Sequence, residues 1–230
     1  MIEMLVVMAI IVILAGIMSM AIQGFLRDSR LETANNKARI VFTGFQNMLI
    51  QCETKQDDSL FFRVDDTGHT NGQIHAAIVY FHIASSGNGA TYGEQRIGNK
   101  IEVLNVYKDG GVKHGDAYDR NDANADRKAA YEKLATSISS FIPNDMDGTY
   151  AVFINYENYT VDSVLYRDLV NGVDPTIVTD NVKKTDKDSK GYYYCGLNNI
   201  DEQRAVYKNK GISYGVYPYG EDISGSAVYH

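Results

Sequence analysis

Positions 4–22 form nineteen consecutive uncharged residues, preceded by a single acid, Glu3, and followed directly by an amphipathic stretch. At a helical rise of about 1.5 Å per residue such a run spans roughly 28 Å, the thickness of a bilayer's hydrocarbon layer. A carboxylate at the mouth of an apolar segment needs a partner, because a charge buried alone is costly. The run therefore leaves water, and Glu3 meets a cation or stays at the boundary near a positive helix N-terminus.

A secretory signal peptide is one reading of the run. Ser19-Met20-Ala21 has the small-residue form of a cleavage site, but no basic residue precedes Glu3. The run also exceeds the ~7–15 residues of a signal core. A single-pass anchor for a globular domain satisfies the hydropathy and leaves Glu3 without a task. Its first basic residues, Arg27 and Arg30, follow the run, which places the C-terminal side initially on the cytoplasmic face.

Beyond the run the helical pattern persists with changed character. Leu31, Ala34, Ala38, Val41, Phe45, Met48 and Cys52 recur at steps of three and four and fall on one stripe. Arg30, Glu32, Asn35, Lys37, Arg39 and Gln46 occupy the other faces. A helix over residues 2–52 is on the order of 75 Å long. Its stripe calls for a globular partner; a soluble coiled coil is the alternative, weakened by only three heptads with alanine in the seam.

The string Ile2-Glu3-Met4-Leu5-Val6-Val7-Met8-Ala9-Ile10-Ile11-Val12-Ile13-Leu14-Ala15-Gly16 resembles the N-terminal signature of type IV pilins and pseudopilins. With its helical continuation, the resemblance covers the first quarter of the chain. It implies a homopolymer in which the helices stack in the filament core. There the glutamate at position 3 pairs with a neighbouring subunit's amino terminus, and Met4, Leu5, Val6, Ile10, Ile13, Leu14 and Ile17 supply the packing. It also implies prepilin peptidase and a pilus assembly machinery as partners, and residence in the membrane before assembly. N-methylation after cleavage is implied too, although Met1 stands where the family has a short stretch beginning with methylated phenylalanine. Many pilins carry a helix-breaking proline in the apolar segment, whereas the first proline here is Pro143. If the helix loosens on packing, Gly16, Ser19 and Gly24 mark the place.

From residue 54 the composition becomes that of a single domain of about 175 residues, enough for one core. Residues 54–59 read as a turn out of the helix. Apolar runs at 60–64, 74–83, 101–107, 150–156, 159–166 and 214–217 read as strands, with the clearest hairpin turning at Glu157-Asn158. Residues 126–141 read as a helix; 85–93, 108–125 and 183–191 read as surface loops. The expected fold is α+β. Residues 1–24 form a transmembrane or filament-core helix, residues 25–53 its amphipathic continuation, and residues 54–230 an antiparallel-sheet head, the pilin "lollipop" that the resemblance also implies.

Cys52 and Cys195 lie far apart in sequence. In an exported head they form a disulfide that stabilises by about 2–4 kcal/mol, or remain two buried thiols. Asp116, Asp119, Asn121, Asp122, Asn124 and Asp126 have calcium-like spacing but fail the EF-hand pattern, with Arg127 at the turn glycine and Lys133 at the last ligand. Capping of the following helix accounts for them first, with calcium the alternative at Asp119, Asn121, Asp122, Asn124 and Asp126. Otherwise no cofactor is expected. Asp145-Met146-Asp147-Gly148 reads as a turn first and a calcium fragment second.

Tyrosine is abundant and tryptophan absent, with Tyr192, Tyr193, Tyr194, Tyr207, Tyr214, Tyr217, Tyr219 and Tyr229 crowding the C-terminal part. Core and strand packing account for these first, and a surface that grips sugar or protein second. The five histidines show no metal spacing and no nucleophile or phosphate-loop motif is present, so an enzyme is not expected. A net charge of −7 argues against a nucleic-acid-binding head. The reading is a subunit of an extracellular pilus that passes through the cytoplasmic membrane as a single-pass precursor. A pseudopilin of a secretion or DNA-uptake machine, or an anchored carbohydrate- or protein-binding module, is the alternative.

Overall fold

The computed structural model describes residues 2–56, 60, 74–84, 97–98, 100–107, 112–143, 145–155, 158–169 and 214–218. Their elements, in chain order, are α1 (Ile2–Lys55), β1 (Ile74–Ile83), β2 (Lys100–Tyr107), β3 (Val112–Asp119), α2 (Ala125–Phe141), β4 (Gly148–Asn155), β5 (Thr160–Arg167) and β6 (Tyr214–Tyr217). The fold is α+β, with one long N-terminal helix and an antiparallel sheet.

The 54 residues of α1 make a rod of about 80 Å. It is unbroken through Gly16 and Gly24, and a side chain at either glycine would meet nothing within 4 Å. Lys55 sits in the last turn, against the negative end of the helix dipole. Gln56, at φ 52°, then turns the chain out of the helix. The start of α2 is set by Asn124, whose side chain accepts hydrogen bonds from the backbone N–H groups of Asp126 and Arg127. The helix stops at Ile142, held extended ahead of Pro143.

The strands lie in the order β3-β2-β1-β4-β5-β6, every neighbouring pair antiparallel. Both helices pack on one face: α1 chiefly over β5 and β6, α2 over β3 and β2, and the two against each other. Ala77, Val79, Phe81 and Ile83 of β1, Tyr150, Val152 and Ile154 of β4, and Val164 and Tyr166 of β5 supply that face. Phe81 is paired with Tyr150, and Tyr150 with Tyr166, so cross-strand register lines up an aromatic row with centroid separations of 5.3 and 5.2 Å. Phe45 of α1 stacks on its end at 5.6 Å from Phe81. Ile78, Tyr80, Ala151, Phe153 and Leu165 alternate with these and are buried too, so the central strands are apolar on both faces.

Three sequence expectations are corrected. Residues 108–125 were expected as a loop, yet β3 runs through them at the sheet edge. An edge strand needs only one partner and tolerates charge, and a bulge sets His114 and Gly115 against Leu104. Of residues 60–64, expected as a strand, Leu60 is a buried turn residue and the other four lie outside the described residues, where the expectation is not tested. Leu31 was placed on the buried stripe and is 37% exposed; Leu49 joins the stripe in the core. Lys37 and Gln46, placed among the outward polar residues, are turned to the head.

Candidate functional site

Every described side chain from Glu3 to Leu26 is exposed, and the apolar window of α1 has none of its residues buried. Met4 stands at 76% exposure, Leu5 at 72% and Ile13 at 62%; Val6, Ile10, Leu14 and Ile17 are also exposed. Burying such side chains gains about 1–2 kcal/mol each, so the segment holds on the order of 20 kcal/mol of unrealised hydrophobic stabilisation. By length and composition it suffices to cross a membrane. Glu3, exposed in the first turn, puts a carboxylate at the tip of this rod. The apolar half thus has two chemically suitable surroundings, lipid or other apolar helices.

The second half fixes that rod to the head. Gln46 Nε2 donates to the Tyr159 carbonyl at 2.9 Å, and Gln46 Oε1 accepts from the Val161 N–H at 2.9 Å. The Val161 amide needs such a partner because β5 is bulged here: Phe153 pairs with Ser163 and Ile154 with Val161, leaving Asp162 extra. Lys37 Nζ donates to the Asp147 carbonyl at 3.1 Å and to the Tyr166 hydroxyl at 2.9 Å. The Tyr166 hydroxyl in turn donates to the Asp168 carboxylate. Burial first, and then the Asp168 hydrogen bond and charge, raise the Tyr166 pKa above the usual phenol value.

Two glycines permit close backbone approach. A Cβ at Gly215 would lie 2.2 Å from the Ala34 carbonyl carbon and oxygen, so β6 is pressed against the backbone of α1. At Gly44 a Cβ would meet the Phe141 carbonyl oxygen at 3.0 Å, where α1 passes the end of α2. Phe42 meets Tyr217 edge-on at 5.0 Å, and the Arg39 guanidinium lies 5.8 Å from the Tyr217 ring centroid. Sequence reasoning found the apolar stripe but missed these polar clamps, because a glutamine or lysine at a stripe edge reads as solvated when its partner is 110 or more residues away.

Cys52 is buried beside a cavity of about 140 Å³ between α1 and α2, lined also by Met48, Lys55, Leu60 and Lys133. Cys195, its expected partner, lies outside the described residues. The acidic cluster is engaged with backbone. Asp119 Oδ1 accepts from the Asn121 N–H and Asp122 Oδ1 from the Asn124 N–H, each at 2.8 Å, while Asp122 Oδ2 lies 3.0 Å from Arg127 Nε. Asn124 caps α2 and Asp126 lies in its first turn. Among the described residues no three His, Cys, Asp or Glu side chains converge as metal ligands. Of the crowded C-terminal tyrosines, Tyr217 packs on Phe42; Tyr192, Tyr193, Tyr194, Tyr207, Tyr219 and Tyr229 lie outside the described residues.

No family model matches the chain, and neither a curated protein nor a solved structure matches it. What fold and site define is an α+β protein whose N-terminal helix docks by its second half on an antiparallel sheet. The first half is long and apolar enough to span a membrane.

Proposed function

We propose that the chain is a structural subunit of an extracellular type IV pilus-like filament, polymerising through the first half of α1 with Glu3 setting the register. The observation that carries this reading is the division of α1. Its second half is clamped to the head by Gln46 and Lys37, while its first half projects an uncharged rod with none of its described side chains buried. Before assembly the rod sits in the cytoplasmic membrane as a single-pass precursor, where prepilin peptidase and the assembly machinery act on it. Within the fibre, neighbouring rods replace lipid, and a subunit amino terminus meets Glu3, whose charge disfavours any register that leaves it buried alone. The head faces outward, where it meets a surface, carbohydrate or protein.

The test is electron microscopy of purified surface fibres, with mass spectrometry of their N-terminal peptide. Fibres composed of this chain support the reading. Retention of the chain in membranes as a monomer supports an anchored binding module, and short periplasm-confined assemblies support a pseudopilin.

A further inference from the structure

Near its C-terminal end α1 leaves a space beside α2. The two helices come together at Gly44, where a Cβ would lie only 3.0 Å from the Phe141 carbonyl oxygen. The following turns of α1 carry Met48, Cys52 and Lys55 at steps of four and three, while α2 presents Lys133, Ser137 and Phe141 at steps of four. Each set therefore lies on one face of its helix, and between the two faces is the cavity of about 140 Å³.

The cavity has an apolar floor and a basic rim. Met48, Cys52 and Leu60 are buried and Phe141 is half-buried, so these four make the floor. Gln51, Lys55 and Lys133 are exposed and make the rim together with Ser137. No acidic side chain lines it, although the chain as a whole carries a net charge of −7. Lys55 lies in the last turn of α1 and offsets the negative end of that helix dipole, so Lys133 leaves the rim net positive. Ser137 Oγ donates to the Lys133 carbonyl at 3.0 Å, which commits its proton within α2 and leaves the ammonium groups to dominate recognition.

We infer that this cavity binds a small aromatic carboxylate, at a site independent of the proposed polymerisation. Its volume is close to the ~150 Å³ of an apolar protein cavity that takes up benzene, so it accommodates one six-membered ring. The floor suits a ring in particular, because Met48 and Cys52 supply polarizable sulfur and Phe141 an aromatic neighbour. A carboxylate on that ring sits at the rim, where Lys55 and Lys133 give it charge-assisted hydrogen bonds. A neutral ring of the same shape forfeits those bonds, and a cationic one meets two like charges. An acid without a ring leaves the apolar floor to water.

Probes of one shape and different charge test this on the full chain in detergent: benzoate, benzamide and benzamidine, each titrated by NMR of the probe. Benzoate binds saturably with a Kd on the order of 1 mM, benzamide about fivefold or more weakly, and benzamidine not measurably. Lys55→Met combined with Lys133→Met keeps the apolar stems and removes both charges. Benzoate then binds about tenfold more weakly, while benzamide stays within about twofold of wild type. Ser137→Phe fills the cavity and abolishes benzoate binding; thermal unfolding checks that both variants fold, and the exposed lysine pair carries the test if Ser137→Phe does not. Absence of saturable benzoate binding, equal binding of benzoate and benzamidine, or benzoate binding unchanged in the lysine variant or in a folded Ser137→Phe overturns the inference. Fibre formation is measured separately, so failure of this site leaves the proposed filament standing.

Discussion

Replacing Gln46 with alanine tests how the rod is held to the head. In the folded chain this one side chain serves two backbone groups, the Tyr159 carbonyl and the Val161 N–H, at 2.9 Å each. The bulge at Asp162 takes Val161 out of the regular ladder, so Gln46→Ala leaves both groups without their protein partner. An orphaned backbone group costs about 1–3 kcal/mol when sealed from water; at this part-buried site the two together cost about 2 kcal/mol. For a domain of this size that is a fall in Tm of about 4–8 °C. The assay is thermal unfolding of the full chain in detergent, followed by near-ultraviolet circular dichroism, with Asn47→Ala on the outward face as a control that stays within about 0.5 kcal/mol. Gln46→Glu, which keeps the acceptor for Val161 and loses the donor to Tyr159, falls between. Hydrogen exchange at the Val161 amide accelerates in Gln46→Ala. A variant that melts within about 1 °C of wild type with unchanged protection at Val161 refutes the clamp.

Gly215→Ala places a Cβ 2.2 Å from the Ala34 carbonyl carbon, which forces β6 off α1 and lowers stability by about 2–3 kcal/mol in the same assay; an unchanged melt contradicts that close approach. Tyr166 carries the alkaline limit. Its pKa is raised in the folded chain and near 10.0 in the unfolded one, so its contribution is complete below pH 10.0 and declines as pH rises beyond it. Denaturant melts between pH 8 and 11 show that decline in wild type and a flatter profile in Tyr166→Phe; identical slopes refute it. Glu3→Ala still inserts into membranes but raises the concentration needed for fibre formation roughly 100-fold, measured by sedimentation, and fibres of normal yield contradict the register role.

Much of this architecture is legible in the sequence because the physical signal is local. The rod is written in the uncharged run at 4–22, and the buried stripe through Ala34, Ala38, Val41, Phe45, Met48 and Cys52 in helical spacing. The strands β1, β4 and β5 are apolar on both faces and stand out as compact runs, within a residue or two of their observed limits. What the sequence hides is long-range or edge-dependent. β3 reads as a loop because Lys113, His114, Gly115 and Asp116 carry no apolar alternation; its order comes from pairing with β2. Gln46 and Lys37 look solvated until the hairpin turn at Tyr159 and the β4 start at Gly148 arrive beside them. The cap of α2 is the opposite case: the sequence already offers Asn124 or Asp126 to cap the helix, and Asn124 is the one that does.

The central claim is that the exposed first half of α1 is buried among other copies of itself. A cryo-electron microscopy reconstruction of fibres made from this chain tests it most directly. The account predicts a core of closely packed rods in which residues 4–22 are buried against helices of neighbouring copies and Glu3 lies within hydrogen-bonding distance of a subunit amino terminus. Rods held apart from one another, with the Glu3 carboxylate in solvent, would contradict it.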